Sequence, residues 1–237
     1  MKDYIEIYKN ALSSKICDFI INKFNNNIDK TRPGTVGNNQ LRPELKSTLD
    51  LALTEPNVSS KKEIDFMFSN IIPVLEKSIK KYFSKYEMYN TEESFKATEE
   101  EIFSWDTETF LENVVWPKYT IHKSNLHTKR YLPQKDYFNW HVDREQGSWP
   151  TFCRELVMMF YLNDVSEGGE TEFMHQNKLV KPSKGTLVIF PAGFTGKHRG
   201  LVPKSGEKYI LNFWLCSMCP PLIEEIYKNK ELYHPVL

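Results

Sequence analysis

The chain has 237 residues, and its 31 lysines plus arginines are balanced by 31 aspartates plus glutamates. This neutral balance gives no electrostatic reason to expect nucleic acid or an anionic membrane as a partner. The length suffices for the core of a single domain, and the apolar runs are far shorter than the roughly 20 residues that cross a bilayer.

The N-terminal residues 1–4 lack the apolar core of a signal peptide, so we expect a soluble, intracellular protein located in the cytoplasm. Cys17, Cys153, Cys216 and Cys219 are too few and too irregularly spaced for a disulfide framework, and we expect them to be reduced. Cys216 and Cys219 have the spacing of half a zinc site, but no second pair follows. Burial is the preferred interpretation, with an incidental metal or redox contact as the alternative.

The first half of the chain predicts mainly helices. After a short strand at residues 5–8, apolar residues at helical spacing predict a helix from about 14 to 26. Residues 27–57 are rich in proline, glycine and asparagine, which is typical of a loop with little regular structure. A second amphipathic pattern predicts a long helix from about 59 to 85, with Pro73 as a point of bending.

The second half predicts strands. Short β-branched and aromatic runs separated by glycine, proline and asparagine indicate a barrel or sandwich. We expect a single domain with helical support and loops at 1–105, a β core at 106–219 and a terminal tail helix at 220–237. The segments 27–57 and 86–118 are the expected determinants of substrate choice.

Three residues predict a metal centre. On a strand, alternate side chains share a face, so His141 and Asp143 can bind the same ion. His198, far downstream, would complete a set of two histidines and one carboxylate, which can hold Fe(II) on one side and leave the other open. The His141–Asp143 spacing alone is weak, because such two-residue repeats often arise by chance.

The run 208–216 alternates in polarity. One face is more polar and contains Lys208, Ile210, Asn212, Trp214 and Cys216. The other face is more apolar and contains Tyr209, Leu211, Phe213 and Leu215. In an ordinary sheet the first face would meet water. In a barrel covered by the N-terminal helices it would instead line an enclosed pocket, where Lys208 would need an anionic partner because an unpaired buried charge is costly.

The chain resembles the iron(II)- and 2-oxoglutarate-dependent dioxygenases, in particular the prolyl 4-hydroxylase-like branch. The resemblance covers roughly residues 119–219, with its motifs in the family's order. They are Tyr131-Leu132-Pro133, Trp140-His141-Val142-Asp143, Phe160-Tyr161-Leu162-Asn163-Asp164, Gly168-Gly169-Glu170-Thr171-Glu172-Phe173, Gly185-Thr186-Leu187-Val188-Ile189-Phe190 and the run from His198 through Arg199, Gly200 and Gly206 to Lys208. The fold that it implies is a double-stranded β-helix, a mainly β jelly-roll barrel with the N-terminal helices packed on one sheet.

The resemblance also implies roles for individual residues. His141, Asp143 and His198 would bind Fe(II), and Lys208 would pair with the distal carboxylate of 2-oxoglutarate, assisted by Tyr131 and by Thr186. By strand parity Tyr161 is a further pocket residue, and Trp214 would pack beside the metal. Candidate substrate contacts are Arg144, Trp149 and Arg154. The remaining histidines have no such context and are interpreted as structural: His122, His127, His175 and His234. For His122 and His127, a position near the mouth of the barrel is left open.

The implied reaction is hydroxylation of an unactivated C–H bond with O2 and 2-oxoglutarate, giving succinate and CO2, with ascorbate as an optional reductant. The substrate would be a prolyl residue of a protein or peptide, or alternatively a free amino acid or small metabolite. Two alternatives remain open: a non-catalytic barrel that binds a metal or ligand, and a zinc hydrolase on the same fold. The sequence does not indicate an oligomeric state.

Overall fold

The computed structural model describes residues 2–37, 39–88, 99–123, 126–144, 151–219, 223–224, 226 and 228–234. The α-helices are α1 Ser14–Asn25, α2 Lys61–Tyr86, α3 Glu99–Ser104 and α4 Thr107–Phe110, followed by a π-helical turn at Leu111–Val115. The strands are β1 Glu6–Tyr8, β2 Arg32–Pro33, β3 Lys46–Ser47, β4 Leu49–Ala52, β5 Tyr119–His122, β6 His127–Tyr131, β7 Tyr137–His141, β8 Arg154–Tyr161, β9 Thr171–Phe173, β10 Lys178–Val180, β11 Leu187–Pro191, β12 His198–Gly200, β13 Lys208–Ser217 and β14 Tyr233–His234.

The described strands form two antiparallel sheets. The major sheet has nine strands in the order β1-β11-β8-β13-β6-β4-β2, with β5 paired to β13 and β14 to β5. The minor sheet has five strands in the order β10-β9-β12-β7-β3. The strands β6 to β13 are shared between the sheets: β6, β8, β11 and β13 enter the major sheet, and β7, β9, β10 and β12 the minor one. This arrangement confirms the predicted jelly-roll barrel.

The major sheet separates two apolar clusters. The cluster on its outer face joins α1 and α2 to Leu211, Phe213 and Leu215 of β13. The cluster on its inner face, between the sheets, contains Ile210 and Trp214 of the same strand. The alternation predicted for residues 208–216 is therefore confirmed, since successive side chains of β13 enter different layers.

Both predicted helices of the N-terminal half are present. The helix expected at 14–26 is α1, whose buried face includes Ile16, Ile20 and Phe24. The helix expected at 59–85 is α2, which begins after a capping box in which Ser60 and Glu63 satisfy each other's backbone N–H groups. It continues through Pro73 to Tyr86.

The prediction of a loop with little regular structure at 27–57 holds for most of the segment but misses three short strands. This segment contains β2, β3 and β4, and β4 pairs with β6 over four residues. In β4, Leu49 packs against the helical layer while Asp50 points to the barrel interior, where Lys46 pairs with it. In an ordinary core strand the inward-facing residues are apolar, whereas here one of them is charged. The apolar/polar alternation that predicts a strand was therefore not apparent among the turn-forming residues.

Helical structure also extends further than expected, because α4 and the π-helical turn occupy 107–115 in the part predicted to be strands. Asp106 caps α4 by accepting a 2.8 Å hydrogen bond from the backbone N–H of Thr109. Of the tail expected to be helical at 220–237, the structure describes residues 223–224, 226 and 228–234. Residues 223, 224, 226 and 228 are helical, whereas Tyr233–His234 form a strand on β5. Within the described part of the chain no helix combines the length and apolarity that crossing a membrane would require.

Candidate active site

The backbone brings two histidines together. His141 ends β7 and His198 begins β12, and the two are direct partners in the antiparallel pairing of these strands. Asp143 lies two residues after His141, where its backbone N–H donates to the carbonyl of Ala192 at 3.1 Å. Directly opposed residues of an antiparallel pair have adjacent side chains, so the pairing itself positions both imidazoles at one point of the barrel.

His141, Asp143 and His198 offer ligand atoms that all lie within 4.8 Å of one another. Nδ1 of His141 is 2.7 Å from the carbonyl oxygen of Asn139, and Nδ1 of His198 is 3.0 Å from that of Gly196. Each carbonyl can only accept, so each Nδ1 carries the proton and each Nε2 presents a lone pair. The distance from Nε2 of His198 to Oδ2 of Asp143 is 3.6 Å.

The electrostatics of this cluster suit a cation. Burial lowers the pKa of His141 to about 3 and also lowers the pKa of His198, which keeps both imidazoles neutral near pH 7. Burial opposes ionisation of Asp143, but the neighbouring histidines, Arg154 and a hydrogen bond from Trp214 outweigh it and lower the carboxyl pKa. Neutral imidazoles and an ionised carboxylate are the protonation states that bind a metal.

One atom of the cluster has an unmet need. Oδ1 of Asp143 accepts a 3.0 Å hydrogen bond from Nε1 of Trp214, whereas Oδ2 is buried without a hydrogen-bond partner among the described residues. A buried anionic oxygen of this kind is costly unless something positive faces it. The donor set of two nitrogens and one carboxylate therefore fits Fe(II), with His141, Asp143 and His198 as its ligands.

Lys208 lies at another point of the same interior. Its side chain is almost fully buried, its Nζ donates to the carbonyl oxygen of Gly169 at 3.0 Å, and the ammonium lies 4.1 Å from the centre of the Tyr131 ring. Gly168 and Gly169 both have positive φ, which glycine adopts without steric cost. Burial lowers the pKa of Lys208 to about 7, and Glu170 opposes the shift. A bound carboxylate would satisfy this ammonium.

A cavity of about 1220 Å³ connects the two parts, since its walls include the three candidate metal ligands, Lys208 and Tyr131. Residues of the segment 27–57 form part of the wall, among them Val36, Gln40 and Lys46. None of the described residues of 86–118 lines it. Of the two segments expected to determine substrate choice, 27–57 thus contributes residues to the cavity wall, whereas the described residues of 86–118 do not.

Two predicted co-substrate contacts are not at the cavity wall. Tyr161 points inward, but its hydroxyl donates to Oγ1 of Thr171 at 2.6 Å and lies 3.1 Å from the carbonyl of Val180, so it supports the minor sheet. Thr186 is buried at the start of β11, and its hydroxyl has no hydrogen-bond partner among the described residues. Parity alone could not distinguish the cavity from the packed interior at the other end of the sheet.

The substrate candidates divide in the same way. Arg154 lines the cavity, stacks on Trp214 with 3.7 Å between the guanidinium and the ring centre, and donates to the backbone carbonyl of Asp143 at 3.2 Å. Arg144 is instead paired with Glu155 at 2.9 Å and does not line the cavity. Trp149 lies outside the described residues.

The sequence reasoning missed four charged residues of the cavity wall, which are Lys46, Asp50, Lys129 and Lys197. Nζ of Lys46 on β3 pairs with Oδ2 of Asp50 on β4 at 2.9 Å, which links the two sheets. Lys129 faces the cavity from β6. A signal for Lys129 existed, because it lies two residues before Tyr131 and therefore shares its face. His122 and His127, for which a position near the mouth was left open, also line the cavity.

The cysteines remain free in the structure. Cys17, Cys153 and Cys216 are buried, and Sγ of Cys153 is 3.0 Å from Sγ of Cys219. The contact brings residue 219 to the entrance of β8. The described cysteines do not form a cluster of three or more metal-binding groups, so the preferred interpretation of Cys216 as a buried residue agrees with its position.

A family model described as the 2OG-Fe(II) oxygenase superfamily matches residues 126–216, which span β6 to β13 and contain the whole candidate site. Over these residues the chain is similar to the 2OG-Fe(II) oxygenases. Its curated relatives include a protein of Acanthamoeba polyphaga mimivirus that is provisionally named a prolyl 4-hydroxylase, 34% identical over 110 residues. They also include prolyl 4-hydroxylase subunit alpha-1 of Gallus gallus, 33% identical over 89 residues.

Solved structures of prolyl hydroxylases share the fold of this chain. A viral collagen prolyl hydroxylase from Paramecium Bursaria Chlorella virus-1, in its 2OG complex, covers 91% of this chain and 97% of its own with a TM-score of 0.52 and 21% identity. A Pseudomonas putida prolyl-4-hydroxylase covers 90% and 92% with a TM-score of 0.56 and 13% identity. A Trichoplax adhaerens prolyl hydroxylase with a hypoxia inducible factor peptide covers 91% and 84% with a TM-score of 0.56 and 14% identity.

The sequence matches are partial in both directions. The mimivirus alignment covers 38% of this chain and 43% of that relative, and the Gallus gallus alignment covers 32% and 17%. The alignments thus cover less than half of this chain and of these relatives, and the substrates of the relatives are properties of those proteins.

Proposed function

We propose that this protein is an Fe(II)- and 2-oxoglutarate-dependent dioxygenase that hydroxylates an unactivated C–H bond, with a prolyl residue of a peptide or protein as its first candidate substrate. The observation that carries the proposal is the convergence of His141, Asp143, His198 and Lys208 on one cavity. A non-catalytic barrel has no need of all four, and a zinc hydrolase has no role for a buried lysine opposite the metal centre.

When bound, iron and 2-oxoglutarate supply the oxidative chemistry: one atom of O2 enters the substrate as a hydroxyl group, the other enters succinate, and CO2 is released. The chain supplies geometry and charge. The backbone carbonyls of Asn139 and Gly196 fix the protons on Nδ1 of the two histidines, and Trp214 fixes the rotamer of Asp143.

The co-substrate end is held by different groups. Lys208 supplies the cation for the distal carboxylate, and Tyr131 forms the wall against which the ammonium rests. The inward-facing side chains of β13 that line the cavity are themselves buried, and charge pairing is stronger in such surroundings than in bulk water. The peptide substrate is supported by the names of the relatives and by the peptide complex of the Trichoplax adhaerens structure.

The first test measures succinate without any added substrate. Protein loaded with Fe(II) is incubated with 2-oxoglutarate, O2 and ascorbate, and slow uncoupled succinate formation is expected. His141→Ala, Asp143→Ala and His198→Ala should each abolish it, and Zn(II) should fail to replace Fe(II). Appreciable turnover in the alanine variants, or none in the native protein, would refute the assignment.

The second test identifies the substrate class. Proline-rich peptides, free amino acids and a cell extract are incubated separately with the loaded protein, and products are searched by mass spectrometry for the gain of one oxygen atom. Oxygenated prolyl peptides would support the first candidate. Oxygenation confined to a free amino acid or a metabolite would replace it with the alternative of the same chemistry.

A further inference from the structure

Besides Lys208 and Lys46, which is paired with Asp50, the cavity wall contains the buried ammonium of Lys129, which the co-substrate does not require. Only 7% of Lys129 is exposed, and it lies on β6 two residues before Tyr131, so both side chains face the cavity. A lysine ammonium has three N–H donors, and no hydrogen bond or ion pair from Lys129 is found among the described residues. A buried cation in this state is costly unless a ligand completes it.

Asp50 is the nearest candidate for an internal partner, because it is paired with Lys129 across β4 and β6. Its oxygens are already used: Oδ2 accepts from Lys46 at 2.9 Å and Oδ1 accepts from Thr48 at 2.7 Å. One carboxylate therefore faces two ammonium groups. The attraction of Asp50 reduces the cost of burying Lys129 and leaves a net positive charge at this part of the wall.

The position of Lys129 relative to the metal centre indicates what would use this charge. Its Nζ lies 5.8 Å from the centre of the Trp214 ring, and Trp214 in turn binds Asp143. Burial lowers the pKa of Lys129 to about 8, with Asp50 opposing the shift, so the ammonium form still predominates at pH 7. An anion bound by Lys129 would therefore lie on the side of the cavity that contains Trp214 and Asp143.

We propose that Lys129 binds a carboxylate of the substrate itself, next to the site of hydroxylation. This inference rests on the proposed function, because it assumes that the bound carboxylate belongs to the molecule that is hydroxylated. The carboxylate could come from either of two sources with the same chemistry: the α-carboxylate of a free amino acid, or an acidic side chain adjacent to the target residue of a peptide. A neutral capped peptide would leave the ammonium unsatisfied.

The test compares carboxylates with their amides. Protein loaded with Fe(II) and 2-oxoglutarate is titrated in a calorimeter without O2, so that binding is measured without turnover. One pair of probes is L-proline and L-prolinamide, extended to the other common amino acids and their amides. The second pair is a capped peptide with aspartate next to proline and the same peptide with asparagine.

Three variants accompany the native protein. Lys129→Met keeps the length of the side chain without its charge, Lys129→Arg keeps the charge, and Lys181→Met removes a charge from an exposed position as the control. We expect one carboxylate probe to bind about 10- to 100-fold more tightly than its amide, because hydrogen bonds to charged groups contribute that much. Lys129→Met should remove this preference, whereas Lys129→Arg and Lys181→Met should retain it. The 2-oxoglutarate affinity should stay unchanged in all three and show that they are folded.

The proposal is overturned if no probe pair shows a carboxylate preference in the native protein, if the preference survives in Lys129→Met, or if that variant loses 2-oxoglutarate affinity instead. Repeating the titrations on metal-free protein separates this result from the wider function. If 2-oxoglutarate binding and succinate formation fail while the carboxylate preference remains, the dioxygenase assignment fails and the anion site stands.

Discussion

Single residues around the metal centre set the protonation and orientation of its ligands. Trp214 shows this most directly, because its indole N–H is the hydrogen-bond donor to Oδ1 of Asp143 while Oδ2 remains available. Partners of this kind are typically worth a factor of about 10 to 100 in metal affinity.

Trp214→Phe should therefore weaken Fe(II) binding about 10- to 100-fold while the fold is kept, because the ring is replaced and only the N–H donor and part of the surface are lost. The measurement is an anaerobic Fe(II) titration. Trp116→Phe is the control, since that ring contacts His234 on the helical side of the molecule. Equal affinities for the native protein and Trp214→Phe would show that Asp143 holds its position without the indole.

Lys208 should make co-substrate binding depend on pH. A lysine is cationic below its pKa, and burial lowers the pKa of Lys208 to about 7, so the ligand-free protein loses the ammonium as pH rises above that value. The dissociation constant of 2-oxoglutarate should then rise by up to about tenfold per pH unit between pH 7 and pH 9. Calorimetric titrations across this range measure it.

Lys208→Arg provides the comparison for this prediction, because the guanidinium remains charged throughout the range. Its affinity for 2-oxoglutarate should vary little with pH, whatever its absolute value. A native profile that is flat, or that strengthens with rising pH, would contradict the charge pairing assigned to Lys208.

Among the elements, β4 illustrates how far sequence reasoning reached. The sequence predicted α1, α2 and the two faces of β13, because their apolar periodicities are long and regular. It also predicted the metal ligands and Lys208 as one set. It missed β4 since Asp50 occupies the face that an ordinary strand fills with an apolar residue, and its partner Lys46 belongs to the other sheet. Such pairings depend on tertiary structure, which a local pattern does not contain.

Asp50→Asn should destabilise the fold by about 3–5 kcal/mol, since it leaves the buried ammonium groups of Lys46 and Lys129 without their carboxylate. Chemical denaturation at pH 7 measures the change in the free energy of unfolding. The control is Asp18→Asn, whose pair with Lys184 is more exposed and should contribute less than about 1 kcal/mol. Similar changes in the free energy of unfolding for the two variants would mean that the ion pair between Lys46 and Asp50 does not stabilise the fold.

At the scale of the whole molecule, the major sheet divides the work between its two sides. The outer apolar cluster holds α1 and α2 against the barrel, and the inner side provides the cavity and its charges. Stability and co-substrate binding should therefore respond to different substitutions, depending on the side of the sheet on which they fall.

Leu75→Ala tests this division, because Leu75 of α2 is completely buried in the outer cluster. The substitution should lower the free energy of unfolding by about 2–5 kcal/mol. Leu75 lies on the side of the sheet away from the cavity, so the dissociation constant of 2-oxoglutarate, measured well below the unfolding temperature, should stay within about twofold of the native value. A tenfold change would require about 1.4 kcal/mol of binding free energy. Leu179→Ala, on an exposed position, serves as the control for stability.

The strand β13 imposes a restriction on how this protein can vary. Inserting a single residue after Leu211 would turn Phe213 and Leu215 toward the cavity and bury Asn212 and Trp214 beneath the helices. A single inserted residue would therefore disrupt both the outer apolar cluster and the cavity. The interior of β13 therefore tolerates insertions only in steps of two residues.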